Sequence, residues 1–231
     1  MMRAPRILVV DDEPQIHRFL TPSLIASGYD VLTASTGADA LRLQNSEAPE
    51  AVILDLGLPD MDGKEVIADI RRRSAIPIIV LSARDREAEK IAALDLGADD
   101  FVNKPFGIGE LLARIRTVLR RKPHIADEVL PRYDIDTVSV DMSLHQVTRR
   151  GEIVHLTPKE FDLLVFLARH SGRVLTHRQI LTEVWGLAHG ADTQYLRVFV
   201  GQLRQKLEDQ PAEPKIIVTE PGVGYRISGN E

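Results

Sequence analysis

Residues 51–60 read Ala-Val-Ile-Leu-Asp-Leu-Gly-Leu-Pro-Asp, and no other stretch constrains the fold as strongly. Four apolar residues lead directly into one carboxylate. A continuous apolar run, with Pro49 before it and Gly57 and Pro59 after it, predicts a strand buried on both faces. Asp55 then sits at the carboxyl end of that strand, where open α/β sheets place their chemistry. Taken alone, Asp55 reads as a turn residue or a helix N-cap as readily as a functional acid.

The rest of the first half alternates in the same manner. Ile7–Val10 is a short apolar run ended by Asp11-Asp12-Glu13. Pro14 opens a helix with Ile16, Phe19, Leu20 and Leu24 at core spacing, and Gly28 ends it. Val31–Ala34 predicts a strand, and Ala38, Leu41 and Leu43 a second helix. Lys64–Arg73 is a helix with Val66, Ile67 and Ile70 inward. Ile76–Leu81 is another buried run. Glu87–Leu96 is helical and capped by Gly97. Asp100–Asn103 is a short strand, and Ile108–Arg121 a final helix. Strands alternating with helices predict a five-stranded parallel sheet covered on both faces, with right-handed crossovers. The flavodoxin-like order 2-1-3-4-5 puts its switch point between strands 1 and 3, so Asp11, Asp12 and Asp55 share one crevice.

Three acids so placed repel one another and raise each other's pKa unless a cation neutralises them. A hard divalent ion with oxygen ligands answers this, and Mg²⁺ suits a site of carboxylates, a carbonyl and waters. Asp12 and Asp55 are the direct ligands in this reading. Asp11 reaches the ion through water, and Gly57 offers its carbonyl. Ser82 ends strand 4 and Lys104 ends strand 5. Acid, acid, hydroxyl and ammonium then converge on one crevice, which describes a phosphoryl site. The Asp55 carboxylate attacks phosphorus. Lys104 and the metal stabilise charge on the equatorial oxygens, and Ser82 donates to one of them. The blander reading is a buried ion pair beside an ordinary N-cap serine.

With these positions in place, residues 5–122 resemble the receiver domain of a two-component response regulator. The resemblance implies that Asp55 accepts phosphoryl from a phosphohistidine on a sensor histidine kinase. It implies a cis Lys104-Pro105 bond, a form essentially confined to proline. Phe101 falls at the family's switch aromatic, where Tyr is commoner, so its coupling rests on ring packing. The charges of the last receiver helices read first as a solvated face. In the OmpR/PhoB-type family the matching face pairs across a two-fold axis, which implies a homodimer with Lys90 against Glu110 and Asp100 against Arg114. A symmetric interface makes each pair twice.

Residues 123–132 are polar, contain two prolines and show no period, so they read as a linker between a domain over 1–122 and one over 133–231. In the second domain Ile135, Val138 and Val140 suggest short strands, and Gln146–Leu156 a hairpin around Arg150-Gly151. Thr157-Pro158-Lys159-Glu160 has the capping-box form with Pro at the first helical position. Its helix buries Phe161, Leu164, Val165, Leu167 and Ala168. Thr176–Val184 and Thr193–Leu207 are further helices, followed by a hairpin over 216–227. Three helices and a hairpin make an α+β winged helix.

The helix from Thr193 buries Leu196, Val200, Leu203 and Leu207. Its other face carries Gln194, Arg197, Gly201, Arg204 and Gln205. Arg and Gln bridge base edges bidentately, and Gly201 lets the backbone come close. Alone, this is also an ordinary amphipathic helix. The hairpin with Tyr225-Arg226 and the stretches Leu156–Leu164 and Leu175–Leu181 resemble the OmpR/PhoB-type DNA-binding domain over 130–228. Many relatives carry Arg near the wing tip. Here Glu220-Pro221 stand there and Arg226 is the wing's sole cation. Arg173, Arg178 and Lys206 are candidate phosphate contacts. The stretches 54–60, 104–111 and 201–208 look most like the KdpE branch, whose regulators act with a sensor kinase on genes for a potassium pump. Double-stranded promoter DNA and RNA polymerase are the partners this implies.

Composition bounds these readings. The chain has 231 residues, 44% hydrophobic and 27% charged, as expected of globular domains. It has no cysteine, which excludes disulfides and thiolate chemistry. No apolar stretch is long enough for a membrane span, and a cytoplasmic location is expected. The second domain carries 12 basic against 15 acidic residues over 123–231, which argues against non-specific nucleic-acid binding. Phosphatases with an Asp nucleophile want an acid/base carboxylate two residues on, and that place is Gly57, so no enzyme turnover is expected. A receiver acting only through protein partners, with the winged helix as a docking module, is the other alternative.

Overall fold

The computed structural model describes residues 4–83, 87–119, 132–186, 189 and 192–228. The chain forms two compact units, Met1–Arg120 and Arg121–Glu231.

The first unit runs β1 (Arg6–Val10), α1 (Pro14–Ala26), β2 (Asp30–Ala34), α2 (Gly37–Glu47), β3 (Ala51–Asp55), α3 (Gly63–Arg71), β4 (Ile78–Ser82), α4 (Glu87–Asp95), β5 (Asp100–Asn103) and α5 (Ile108–Leu119). The sheet is parallel in the order β2-β1-β3-β4-β5. Every residue of β3 and β4 is buried. That is the consequence of their unbroken apolar runs: each Val, Leu or Ile buried this way contributes about 1.5–3 kcal/mol. Register sets Val10 beside Leu54, Leu54 beside Val80, and Ser82 beside Asn103. The carboxyl ends of the central strands therefore finish at one level.

Two helix faces differ from the expected ones. Phe19 is 46% exposed, because Ile16, Leu20 and Leu24 form the stripe against the sheet and Phe19 lies beside it. In α2 the inward residues are Gly37 and Ala40, while Ala38 is exposed. The last residues of the expected helix 108–121 lie outside the described ones.

The second unit opens with an antiparallel sheet, β6 (Arg132–Ile135), β7 (Val138–Asp141), β8 (Gln146–Arg149) and β9 (Glu152–Val154). Arg132, the last residue of the expected linker, is the first of β6. The rest of that linker lies outside the described residues. Helix α6 (Pro158–Arg169) starts at a complete capping box of Thr157 and Glu160. Helix α7 (His177–Trp185) starts at a second box, Thr176 with Gln179. Helix α8 (Thr193–Leu207) follows, then β11 (Ile217–Glu220) and β12 (Gly224–Ile227).

The closing hairpin is not alone. A two-residue strand β10 (Leu175–Thr176) pairs with β12, giving the order β10-β12-β11. That pairing demands glycine at 224: a Cβ there would lie 1.9 Å from the Leu175 carbonyl oxygen. Trp185 and Tyr195, edge to face with ring centroids 5.4 Å apart, are both core residues, and Phe199 packs beside them.

Candidate functional site

The crevice lies at the carboxyl ends of β1, β3, β4 and β5. Asp11, one residue past β1, is fully buried. Its Oδ1 accepts the Glu13 backbone N–H at 3.0 Å. Lys104, one residue past β5, donates to Asp11 Oδ2 at 2.8 Å and sits 2.9 Å from Asp55 Oδ1. The same ammonium reaches Glu13 Oε1 at 3.1 Å. Asp55 accepts a second hydrogen bond, from the Gly57 backbone N–H. Ser82 is buried, and its carbonyl accepts the Lys104 N–H at 2.8 Å. The Lys104-Pro105 peptide is cis. Phe101 is buried beside Val80 in the adjacent strand. Asp12 is exposed.

Local structure explains the placement. The helix α3 starts directly against the end of β3, and a Cβ on Gly63 would lie 2.5 Å from the Asp55 carbonyl oxygen. Glycine at 63 thus lets the loop 56–62 fold tightly over Asp55. Asp60 in that loop accepts the Gly37 and Ala38 N–H groups at 2.8 and 2.9 Å, tying it to the start of α2.

Electrostatics in the crevice are opposed. Burial raises the Asp11 pKa above the ordinary carboxylate value; the Lys104 hydrogen bond offsets this only in part, and the Asp55 charge adds to it. Burial works against the Lys104 ammonium, but its hydrogen bonds to Asp11 and Asp55 outweigh burial and raise its pKa. Among the described residues no three His, Asp or Glu side chains are grouped closely enough to hold a metal ion. The donors at hand are nonetheless oxygens alone, and Asp11 carries charge that a divalent cation would relieve. This donor chemistry suits a hard cation.

On the α4–β5–α5 side, Arg114 is already bound within the chain. It reaches Asp100 Oδ1 at 3.0 Å and Glu110 Oε1 at 2.6 Å. Glu110 is exposed and Lys90 half-buried.

On α8, Gln194, Arg197 and Gln205 are exposed, and Arg197 donates to Gln194 at 3.4 Å. Gly201 has open space where a Cβ would project. Arg204 is different. Its guanidinium donates to the Ile217 carbonyl at 2.6 and 3.0 Å and to Thr219 Oγ1 at 2.7 Å. It also lies over the Tyr225 ring, 5.8 Å from the centroid. Burial lowers its pKa. Arg204 therefore grips the wing. Arg226 pairs with Glu220 at 3.0 Å. Lys206 pairs with the buried Glu160 at 2.6 Å; Arg173 and Arg178 are exposed.

Comparison with known proteins decides the family. Residues 7–116 match the response regulator receiver domain, and residues 151–227 match the C-terminal domain of transcriptional regulatory proteins. The transcriptional regulatory protein KdpE of Mycobacterium tuberculosis is 50% identical over 221 residues, covering 96% of this chain and 98% of that one. The KDP operon regulator KdpE of Escherichia coli is 50% identical over 222 residues, with the same coverage. The chain belongs to the two-component response regulators of the OmpR/PhoB type. Its likeness to the KdpE branch runs nearly end to end. Among solved structures, a RitR mutant superposes with a TM-score of 0.76 at 28% identity over 98% of this chain and all of that one. The Thermotoga maritima OmpR/PhoB homologue DrrB gives 0.52 at 31% identity with the same coverage.

This response regulator joins a receiver to a DNA-binding output domain, the plan of phosphorylation-controlled transcription regulators and not of a catalytic enzyme. A sensor kinase and DNA are the partners the family implies. No helix among the described residues is long and apolar enough to cross a membrane.

Several engaged residues escaped the sequence reading. Glu13 shares Lys104, and only its place beside Asp11-Asp12 hinted at it. Asp99 is fully buried and binds Arg71 at 2.7 Å, locking the end of α3 to the sheet. Lys159 is buried with its ammonium on the Val184 carbonyl at 2.7 Å. Nothing in the local pattern marks these pairs, because their partners are distant in sequence.

Proposed function

We propose that this protein is a transcriptional switch in which Asp55 takes a phosphoryl group from a phosphohistidine of a sensor histidine kinase. The observation that carries this reading is the Asp55 carboxylate at a buried strand end, with the Lys104 ammonium 2.9 Å away. An Asp55 oxygen attacks phosphorus in line. The P–O bond forms as the P–N bond breaks, and the imidazole leaves with the electron pair. Lys104 meets the equatorial oxygens, and Ser82 donates to one of them. Asp11, Asp12, Asp55 and the Gly57 carbonyl are the residues that would hold Mg²⁺, which receiver domains generally bind at the phosphorylation site. Mg²⁺ when bound supplies positive charge against the phosphoryl oxygens.

Phosphorylation then shifts a population. Ser82 and Phe101 respond to the new charge, and the α4–β5–α5 face becomes competent to pair with a second copy through Lys90, Asp100, Glu110 and Arg114. The receiver, up to residue 122, connects through a linker ending just before β6 to the winged helix. Two such domains read half-sites about one helical turn apart. Gln194, Arg197, Gly201 and Gln205 face the DNA, while Arg204 and Arg226 serve through the wing. The names of the KdpE relatives support potassium-transport genes as the target; a cytoplasmic location and RNA polymerase as a further partner complete the reading. The test is Asp55→Asn: acid-labile phosphate incorporation from a small phosphodonor is expected to vanish. Undiminished incorporation would remove Asp55 from the site.

A further inference from the structure

Between Ile216 and Ile227, Arg226 is the sole basic residue. Strand register sets Val218 opposite Arg226 and Glu220 opposite Gly224. Glu220 thus stands diagonally across from Arg226 on one face of the hairpin, a separation long side chains span. The Arg226 Nε donates to Glu220 Oε1 at 3.0 Å, and the side chains remain 33% and 31% exposed. A competing anion can reach this pair.

The other face of the hairpin is committed inward. Ile217, Tyr225 and Ile227 are buried, and Arg204 bonds to Ile217 and Thr219. The wing is therefore held firmly on α8, while its outward ion pair is open to exchange. The tip itself, Pro221-Gly222-Val223, brings no charge, and Val223 is 46% exposed.

We propose that Glu220 competes with DNA phosphate for Arg226, and so sets the affinity and salt dependence of DNA binding without touching DNA. This rests on the winged helix being the DNA-binding element. While Glu220 holds Arg226, the wing enters the field of the DNA nearly neutral and releases few counterions. The Nη groups can meet a phosphate while Nε keeps the carboxylate, but the guanidinium charge is then already balanced by Glu220. The pair is exposed and weak in itself, so its effect on DNA binding is to neutralise the one cation the hairpin offers. Glutamine at 220 keeps the size, removes the charge and turns Arg226 into a full phosphate contact.

The test uses the full chain and a labelled duplex of the promoter DNA that it footprints, followed by fluorescence anisotropy between about 50 and 200 mM salt. Wild type, Glu220→Gln, Arg226→Ala and the double variant are compared, with thermal midpoints recorded. Arg226→Gln replaces Arg226→Ala if the latter lowers the midpoint. Glu220→Gln is expected to bind about fivefold tighter and to steepen the slope of log Kd against log salt by about 0.9. Added to Arg226→Ala, the same change is expected to gain less than about twofold, because no cation remains to be released. An equal gain in both backgrounds would reduce Glu220 to general charge repulsion and overturn the proposal. No gain in the wild-type background would overturn it as well. Absence of any binding by the wild-type chain is a separate failure, which would sink the DNA-binding reading and this proposal with it.

Discussion

The Lys104 ammonium bridges two carboxylates that end different strands, 2.9 Å from Asp55 and 2.8 Å from Asp11. Its position is fixed by backbone, since its own N–H is bonded to the Ser82 carbonyl. A cation held this way needs no rearrangement when charge develops on a phosphoryl group. Lys104→Ala is therefore expected to slow acid-labile phosphate incorporation at Asp55 by about 10²-fold. Incorporation kinetics with a small phosphodonor measure this. An unchanged rate would confine Lys104 to a structural ion pair.

Arg204 and Arg197 lie on the same helix but are expected to fail differently. Arg204→Ala removes the bonds to Ile217 and Thr219 that hold the wing. It should cost about 1–3 kcal/mol of unfolding free energy, because a buried carbonyl loses its charged donor. Arg197 is exposed, and Arg197→Ala should change stability by less than about 0.5 kcal/mol. A footprint on promoter DNA should nonetheless weaken with Arg197→Ala. Urea unfolding beside footprinting separates the two. Equal stability losses would contradict this division.

What could be read from the sequence follows from the range of the interactions. The parallel sheet was legible because β3 and β4 are unbroken apolar runs between breakers, and the crevice because each central strand ends in a polar residue. The α8 span was legible from its apolar period and the α6 start from its capping box. Strand β10 was not, since two residues have no period and its pairing depends on Gly224, far along the chain. The hold of Arg204 on the wing was hidden for a related reason. Helical period puts Arg204 on the polar face, but its main partner is a backbone carbonyl that no side-chain pattern reveals. Phe19 shows the limit of spacing alone: a residue one step from a buried stripe is half exposed.

The Arg114 guanidinium is bound to Asp100 and Glu110 of its own chain. Pairing between two copies must exchange or extend these contacts, so single truncations mix folding with association. A charge swap with its rescue separates the two. Glu110→Lys is expected to weaken the phosphodonor-induced dimer about tenfold, and Lys90→Glu in the same chain to restore it. Sedimentation with and without phosphodonor reads the result. Failure of the second change to rescue the first would remove the Lys90–Glu110 contact from the dimer.

Asp60 offers a pH-dependent test of how the loop over Asp55 is held. Its carboxylate accepts N–H groups of Ala38 and Gly37, and these bonds, Ala38 foremost, hold its pKa below the ordinary value of 3.8. Both N–H groups belong to the first turn of α2, where negative charge is favoured. A depressed folded pKa means the stabilisation is fully present above the unfolded value and is lost as pH falls through the folded one. Asp60→Asn keeps one acceptor oxygen and loses the charge. The stability gap between wild type and Asp60→Asn, measured by urea unfolding, should be constant at neutral pH and close as pH falls below about 4. A gap that persists unchanged at low pH would mean that the charge of Asp60 plays no part in fastening the loop to α2.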